Sequence, residues 1–434
     1  MRTLPLFLLL AACSSTDDGA AKAGDDTASA DTDADTDADT GKGEDTSKEG
    51  DTDTDADTDS DTDADTDTDT DTDPPAPAAY TGYLGPTRIA LLVDGATGSG
   101  LNPSSVVLYD PATGTSSTVS GLTVRGDALL DCAGDAVFVL ESRGAEGLTD
   151  RILRVDPTAA TYAEWNLGSN FQPRDVALVL DEYWVANWGK SRLSTFDADG
   201  TAGPFFSLDA YADADGIPEA NGIFVSGPTA YVTLARQSAD GTRNGAKVLE
   251  IALDSKTVTR SADLAGSYPS GKMLGSADAL FVHLRSTPSP DGSLATDGGV
   301  ERVETAGFTS EGLFVEDATA ANRQTAASLD PFQFAAWFGR TNSSGAAEVA
   351  AVALLDGTPL QTWPVADQVT GIGAADGTLW TAETPFTGGS SALVGRVPLD
   401  GTETTRVAQS GVIRGFAICV QSSEPVVDTG TPPE

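Results

Sequence analysis

The sequence has one histidine, three cysteines and two methionines in 434 residues, and 25 Lys and Arg stand against 66 Asp and Glu, a net charge of −41. Each scarcity excludes something. His283 is the only base a Ser-His-Asp hydrolase could use, and no Gly-x-Ser-x-Gly elbow accompanies it. Its place inside a strand pattern predicts a packed role instead. The few cysteines show no zinc spacing, and neither a phosphate loop nor a haem motif is present. The shortage of basic residues disfavours nucleic acid as a partner. No stretch approaches the roughly 18 consecutive apolar residues of a membrane span. Long amphipathic helical patterns are also lacking, which turns the reading towards β-structure.

What is present begins with Met1-Arg2, an apolar run from Leu4 to Leu10, and Ala11-Ala12-Cys13. A charge, an apolar stretch and small residues before a cut site make a secretory signal, residues 1–12. Leu10-Ala11-Ala12-Cys13 resembles the lipobox of bacterial lipoproteins. That resemblance implies cleavage before Cys13 and a diacylglyceryl group on its thiol, so the lipid is the expected link to the membrane. Ser14 stands where an Asp would resemble an inner-membrane retention signal. The expected place is therefore the outer membrane of the cell envelope, facing the periplasm or the surface.

Residues 13–79 contain the lipidated cysteine and a tether with almost no core-forming side chains. From Asp17 to Asp73 there are 22 Asp and 2 Glu against 3 Lys, a net of −21. Such a segment cannot bury enough apolar surface to offset its chain entropy, so disorder is expected. Its like charges extend it. The Asp-x-Asp repeats have neither the glycine turn nor the bidentate Glu of a calcium loop, so diffuse cation condensation is expected there. Residues 422–434 form a second loose, Pro-rich segment.

Between them, residues 80–421 are rich in Gly, Thr, Val and Ala, with short apolar runs between turn signals. One strand signature recurs, ending at Asp94, Glu141, Asn187, Leu234, Leu284, Trp337 and Glu383. The steps between these ends are 47, 46, 47, 50, 53 and 46 residues. A second signature precedes each copy but the first, as in Arg174-Asp175-Val176-Ala177-Leu178 and Asn221-Gly222-Ile223-Phe224-Val225. Its last copy, Arg414-Gly415-Phe416-Ala417-Ile418, has no strand after it. A period in the high forties marks four-stranded propeller blades. The expectation is an all-β, seven-bladed β-propeller in which the final strand completes the first blade and closes the ring, removing free edges. An irregular stretch from Gly299 to Ala327 leaves six or eight blades open as counts. In this register Cys132 and Cys419 fall on neighbouring inner strands of an exported protein. A disulfide and two free thiols both remain open there.

Asn221-Gly222-Ile223-Phe224-Val225-Ser226, Tyr231-Val232-Thr233 and Tyr183-Trp184-Val185-Ala186-Asn187 resemble blades of NHL, YVTN and gluconolactonase-type propellers. Gluconolactonase-type enzymes hold a divalent metal on the axis with a Glu, an Asn and an Asp. Asn221 matches the Asn-bearing blade. The next blade reads Ser270-Gly271 where Asp-Gly is expected, and no Glu stands at the first ligand's place, so the triad is incomplete.

Aligning the repeats puts Arg125, Arg174, Asn221, Ser270, Arg323, Thr370 and Arg414 at the entrances of the seven inner strands. Asp94, Glu141, Asn187 and Glu383 lie near them at the ends of the second strands. From Tyr80 onward there are only 21 basic residues against 42 acidic, so four arginines around one funnel stand out. They could hold a carboxylate or phosphate bidentately, or pair with their neighbours, as Arg125 with Glu141 and Arg414 with Asp94. Three long connections share this face: Asp209–Glu219, Gln237–Ala246 and Ser286–Gly298. Long loops on a rigid scaffold carry recognition, which directs attention to blades three to five. Asp213, Asp215 and Glu219 surround a glycine turn with three carboxylates, the chemistry of a Ca²⁺ site or of a solvated acidic turn. The tryptophans read as core, with Trp188 and Trp337 near the loop face.

Together these readings predict a monomeric, lipid-anchored envelope propeller. It acts as a non-catalytic module for a protein, a glycan or a small anionic ligand. The alternative is a metal-dependent hydrolase or lactonase of the gluconolactonase type.

Overall fold

The computed structural model describes residues 85–420, except 95–102, 126–127, 144–148, 239–240, 287–297, 317–322, 332, 342–345 and 387–388. Cys13, the acidic tether and the tail lie outside the described residues. Seven antiparallel sheets follow one another along the chain and form a seven-bladed β-propeller, so the count is seven rather than six or eight. Among the described residues there is no α-helix, and Asp209–Tyr211 makes a single 3₁₀ turn.

Burial explains why the second strand of each blade was the legible one. Ala136–Glu141 and Ala279–Leu284 are buried along their whole length, because each is covered by the blades on both sides. They therefore read as continuous apolar runs. Outer strands such as Thr115–Thr118 and Pro359–Val365 are almost wholly exposed and carry no continuous buried run. The core consists of wedges between blades. Phe138, Trp165, Tyr183 and Phe196 fill the wedge between blades two and three, with Trp165 within 5.5 Å of each of the other three rings. Phe224, Tyr231 and Phe308 stack between blades four and five. Each such side chain contributes about 1.5–3 kcal/mol on burial.

The ring closes as expected. Val412–Cys419 is the inner strand of blade one and pairs antiparallel with Arg88–Asp94, Arg88 opposite Cys419. Cys419 is bonded to Cys132 on the inner strand of blade two (Leu129–Ala133), with a Cα–Cα distance of 5.5 Å. Polar side chains link other neighbouring inner strands. Asp131 of blade two accepts from the Val176 N–H of blade three at 2.9 Å, and Asp175 of blade three accepts from the Ile223 N–H of blade four at 2.6 Å. Asn221 of blade four donates to the Pro269 carbonyl of blade five, and Thr370 of blade seven to the Ile413 carbonyl of blade one.

One register in the sequence reading is corrected. The second strand of blade six is Ala335–Thr341, so Gln333 and Phe334 belong to the turn before it and Trp337 is not its last residue. A four-residue turn joins Asp330 to Ala335, whereas blade seven turns in two residues between Ala375 and Thr378. Phe334 adopts a left-handed backbone there, with φ at 48°. An apolar turn residue thus looks like strand in sequence.

Candidate functional site

The inner strands share a local feature at the loop face. In blades three, four, seven and one the ladder skips a single residue, which bulges out of the pairing: Arg174, Asn221, Thr370 and Arg414. These are the entrance residues picked out by the repeat. A bulge re-aims the side chain it carries. In blade five the interruption is wider, taking in Ser270, Gly271 and Lys272. In blade six the bulged residue is Thr325, two positions past Arg323, as the corrected register requires. Arg323 begins the inner strand, and its side chain lies outside what is described. Arg125 is also displaced from its expected place: Val124–Arg125 pairs with Pro103–Ser104 of blade one, on the crossing between the first two blades.

In three blades the acids near these entrances are satisfied by cations or main chain. Asp94 accepts from the Arg414 guanidinium at 2.9 Å, the pairing that the sequence offered. Glu141 accepts the Arg125 main-chain N–H at 2.8 Å, but its guanidinium partner is Arg151, at 2.5 Å. Glu383 is fully buried and binds Arg396 at 2.6 Å and Arg406 at 3.3 Å. The Asn187 amide is buried and donates to the carbonyls of Val185 and Arg192 and to Ser194. Each of these groups thus has partners within the rim of the ring.

The same holds for Asn221. Its amide donates across the seam to Pro269, and a Cβ on Gly222 would stand 2.5 Å from the Gly271 Cα. Its Asn-Gly pair therefore serves close backbone approach between blades four and five. Among the described residues no three metal-binding side chains come together. The axial Glu, Asn and Asp of the gluconolactonase type do not fit this chain.

The carboxylates expected to hold Ca²⁺, Asp213, Asp215 and Glu219, meet donors of the protein itself, and they are not among any group of three metal-binding side chains in the described residues. Asp213 accepts from Asn244 at 2.7 Å and from the Asp215 N–H at 3.1 Å. Asp215 accepts from the Ile217 N–H at 2.9 Å. Glu219 is buried, accepts from the Gln237 N–H at 2.8 Å, and is pushed up to about 8 by burial and by the two Asp carboxylates.

His283 is buried between blades five and six. Its Nδ1 meets Ser270 Oγ at 2.6 Å and its Nε2 meets the Gln324 side-chain amide at 2.6 Å. Burial, first, and then the charges of Arg285 and Lys272 lower its pKa to about 3. A general base at this place would have to become imidazolium beside two cations, with an amide rather than a carboxylate on its other nitrogen. That environment opposes the role, and the ring acts as a bridge between blades.

Two features remain that sequence reasoning missed. The first lies inside the ring, where the inner strands of blades two to five enclose a cavity of about 80 Å³ lined in part by Asp131, Asp175 and Lys272. Burial and the adjacent Asp131 carboxylate push Asp175 well above the usual carboxylate range. The second is a clasp on the loop face of blades three to five. Arg174 stacks on Trp188, with its guanidinium carbon 5.1 Å from the ring centre, and Trp188 meets Tyr268 edge to face at 6.3 Å. Arg243, from the long connection of blade four, lies 3.9 Å over Tyr268, and Arg285, at the end of blade five's second strand, lies 6.0 Å from that ring. The Arg285 main-chain N–H is fixed to the Tyr268 carbonyl at 2.7 Å. Arg174 and Trp188 were legible from the repeat. Tyr268, Arg243 and Arg285 lie at irregular places in linking segments, where no periodicity marks them.

No protein-family model and no curated relative matches the sequence. Solved structures do share the fold. A protein from Bacteroides uniformis, named as a candidate 6-phosphogluconolactonase, is 13% identical with a TM-score of 0.51. That likeness covers 77% of this chain and 99% of that one. A Bacteroides fragilis protein of the same description is 11% identical with a TM-score of 0.52, over 77% and 98% of the two chains. At such identities the likeness shows the fold alone.

Proposed function

We propose that the protein is a binding propeller whose recognition site is the arginine–aromatic clasp on the loop face of blades three to five. The carrying observation is the convergence of Arg174, Arg243 and Arg285 on the rings of Trp188 and Tyr268. A guanidinium stacked on a ring keeps its N–H donors in its own plane, aimed sideways at an incoming carboxylate or phosphate. The ligand class is therefore a small anion or the acidic group of a larger partner. In this reading the molecule acts at the cell envelope, anchored through a lipid on Cys13. Titration of the full chain with galacturonate and with inorganic phosphate tests the site. Binding should weaken by about tenfold or more in Arg243→Ala, the scale of one lost charge-assisted contact. Unchanged affinity in that variant would sink the proposal.

A second reading is favoured by the names of the structural neighbours, which describe sugar lactonases. Here Asp175, raised by burial and by the neighbouring Asp131 carboxylate, would supply the acid beside the cavity and Asp131 the base. The measurement is the rate of 6-phosphogluconolactone opening with and without the protein. A rate equal to the spontaneous one rejects the lactonase reading and leaves the binding module untouched.

A further inference from the structure

At the end of the strands away from the clasp, the turns of blades six and seven carry an apolar groove. Eight large hydrophobic side chains are exposed among the described residues, and four of them lie here: Leu355 at 80%, Leu399 at 44%, Leu360 at 40% and Val397 at 38%. Scattered singly, such residues need no explanation, but a cluster marks a contact surface. Phe334, Leu355 and Leu360 of blade six and Pro398 and Leu399 of blade seven line a cavity of about 610 Å³, with Gln333 as the polar member of its wall. Leu355, Leu360 and Leu399 pack into none of the wedges between blades. Leu399 also holds a left-handed backbone, with φ at 68°. Glycine would take that conformation without strain, so an exposed leucine is kept at a turn position that favours its absence.

Charge decides what fits the groove. The turns of these two blades at this end, residues 331–334, 354–358, 376–377 and 397–402, contain Asp356, Asp376 and Asp400, all exposed, and neither lysine nor arginine. Arg396, just before the last of them, is buried and bound to Glu383. An acidic rim repels three occupants. The chain's own outlying segments are acidic, with a net of −21 from Asp17 to Asp73 and three acids without a base in residues 421–434. A second copy brings the same rim and a charge of −41. An anionic membrane brings its own negative surface. We infer that the groove docks a segment of another protein that presents apolar side chains flanked by lysine or arginine. Its apolar side chains fill the space between Leu355, Leu360 and Leu399, and its basic flanks meet Asp356, Asp376 and Asp400. This site is separate from the clasp and does not rest on it.

The test is titration of the full chain with an amphipathic leucine–lysine peptide, its leucine–glutamate counterpart and a lysine–serine peptide. The leucine–lysine peptide should bind about tenfold or more tightly than either of the others, and added salt should weaken it. Leu355→Ser with Leu399→Ser should remove that preference and leave the unfolding midpoint unchanged. Asp356→Asn with Asp400→Asn keeps an oxygen for the turn N–H groups of Thr358 and Thr402, and should weaken the peptide and blunt its salt dependence. Leu399→Gly should weaken binding with a midpoint no lower than the parent's, because glycine accepts the left-handed turn. A lowered midpoint there would give Leu399 a folding role and overturn the inference. A leucine–lysine peptide that binds the parent and the double leucine variant alike is held by the acidic tether, and that outcome overturns it too. So does equal binding of the three peptides, or none. Binding to phosphatidylglycerol vesicles that the double leucine variant loses would assign the groove to a lipid surface. A dimer in sedimentation that the same variant loses would assign it to a second copy. Either result replaces the basic partner.

Discussion

Blades one, two and seven and blades three to five treat the same edge of the ring differently. In the first group the second strand ends at or near an acid, Asp94, Glu141 or Glu383, and each acid is tied to an arginine. In the second group those positions are Asn187, Leu234 and Leu284, all buried. Arginines there stack on aromatic rings instead. The difference teaches that one repeat position can serve two purposes. Where the chain's ends must be sealed, charge is used internally. Where the loops are long, the rim is closed by neutral groups and arginines stack on aromatic rings.

That contrast can be broken from the sealed side first. Glu383→Ala leaves Arg396 buried without its carboxylate, and removing one partner of a buried pair costs about 3–5 kcal/mol. Chemical denaturation should report that loss, with anion binding at the clasp unchanged. Loss of both properties together would mean the two regions are one cooperative device. Next, Cys132→Ser with Cys419→Ser opens a link between residues 287 positions apart. The expected cost is about 2–5 kcal/mol, again without effect on the clasp. A variant as stable as the parent would show that strand pairing alone seals the ring.

The open side carries a pH signature. Glu219 is raised in the folded protein to about 8 from an ordinary value near 4.5. A raised folded pKa means that the native state holds the proton more tightly than the unfolded chain. Its stabilising contribution is therefore complete below about 4.5 and is lost as pH rises through about 8. Glu219→Gln should flatten the fall in stability between pH 5 and 8, and an unchanged slope would assign that fall to other groups. The smallest stability effect is expected for Arg243→Ala, within about 0.5 kcal/mol as for other surface changes, while ligand affinity drops. A large destabilisation there would move Arg243 from the recognition side of the comparison to the sealing side.

The strands most deeply buried were the easiest to read. A fully covered second strand must be apolar throughout, so its spacing carries the blade count and the closing strand. The bulged entrance residues also followed from spacing in blades one, three, four and seven; in blade six the four-residue turn hid the register, and in blade two Arg125 lies on the crossing from blade one. Side-chain partners were less legible. Glu141 took Arg151 from the next strand rather than the Arg125 guanidinium, because cross-strand neighbours lie nearer than residues on the crossing between blades. The protein donors that meet Asp213 and Glu219 were not legible either, because Asn244 and Gln237 come from another connection. Burial decides whether Glu219 is charged at all.

By itself, then, the sequence determined the repeat, the ring and the place where it closes, since burial of whole strands leaves a one-dimensional trace. Only the tertiary structure decided which charges face each other. Tyr268 and Trp188 lie 80 residues apart in the chain and 6.3 Å apart at their ring centres. Contacts of that kind arise from the closing of the ring, which brings together linking segments whose residues follow no period.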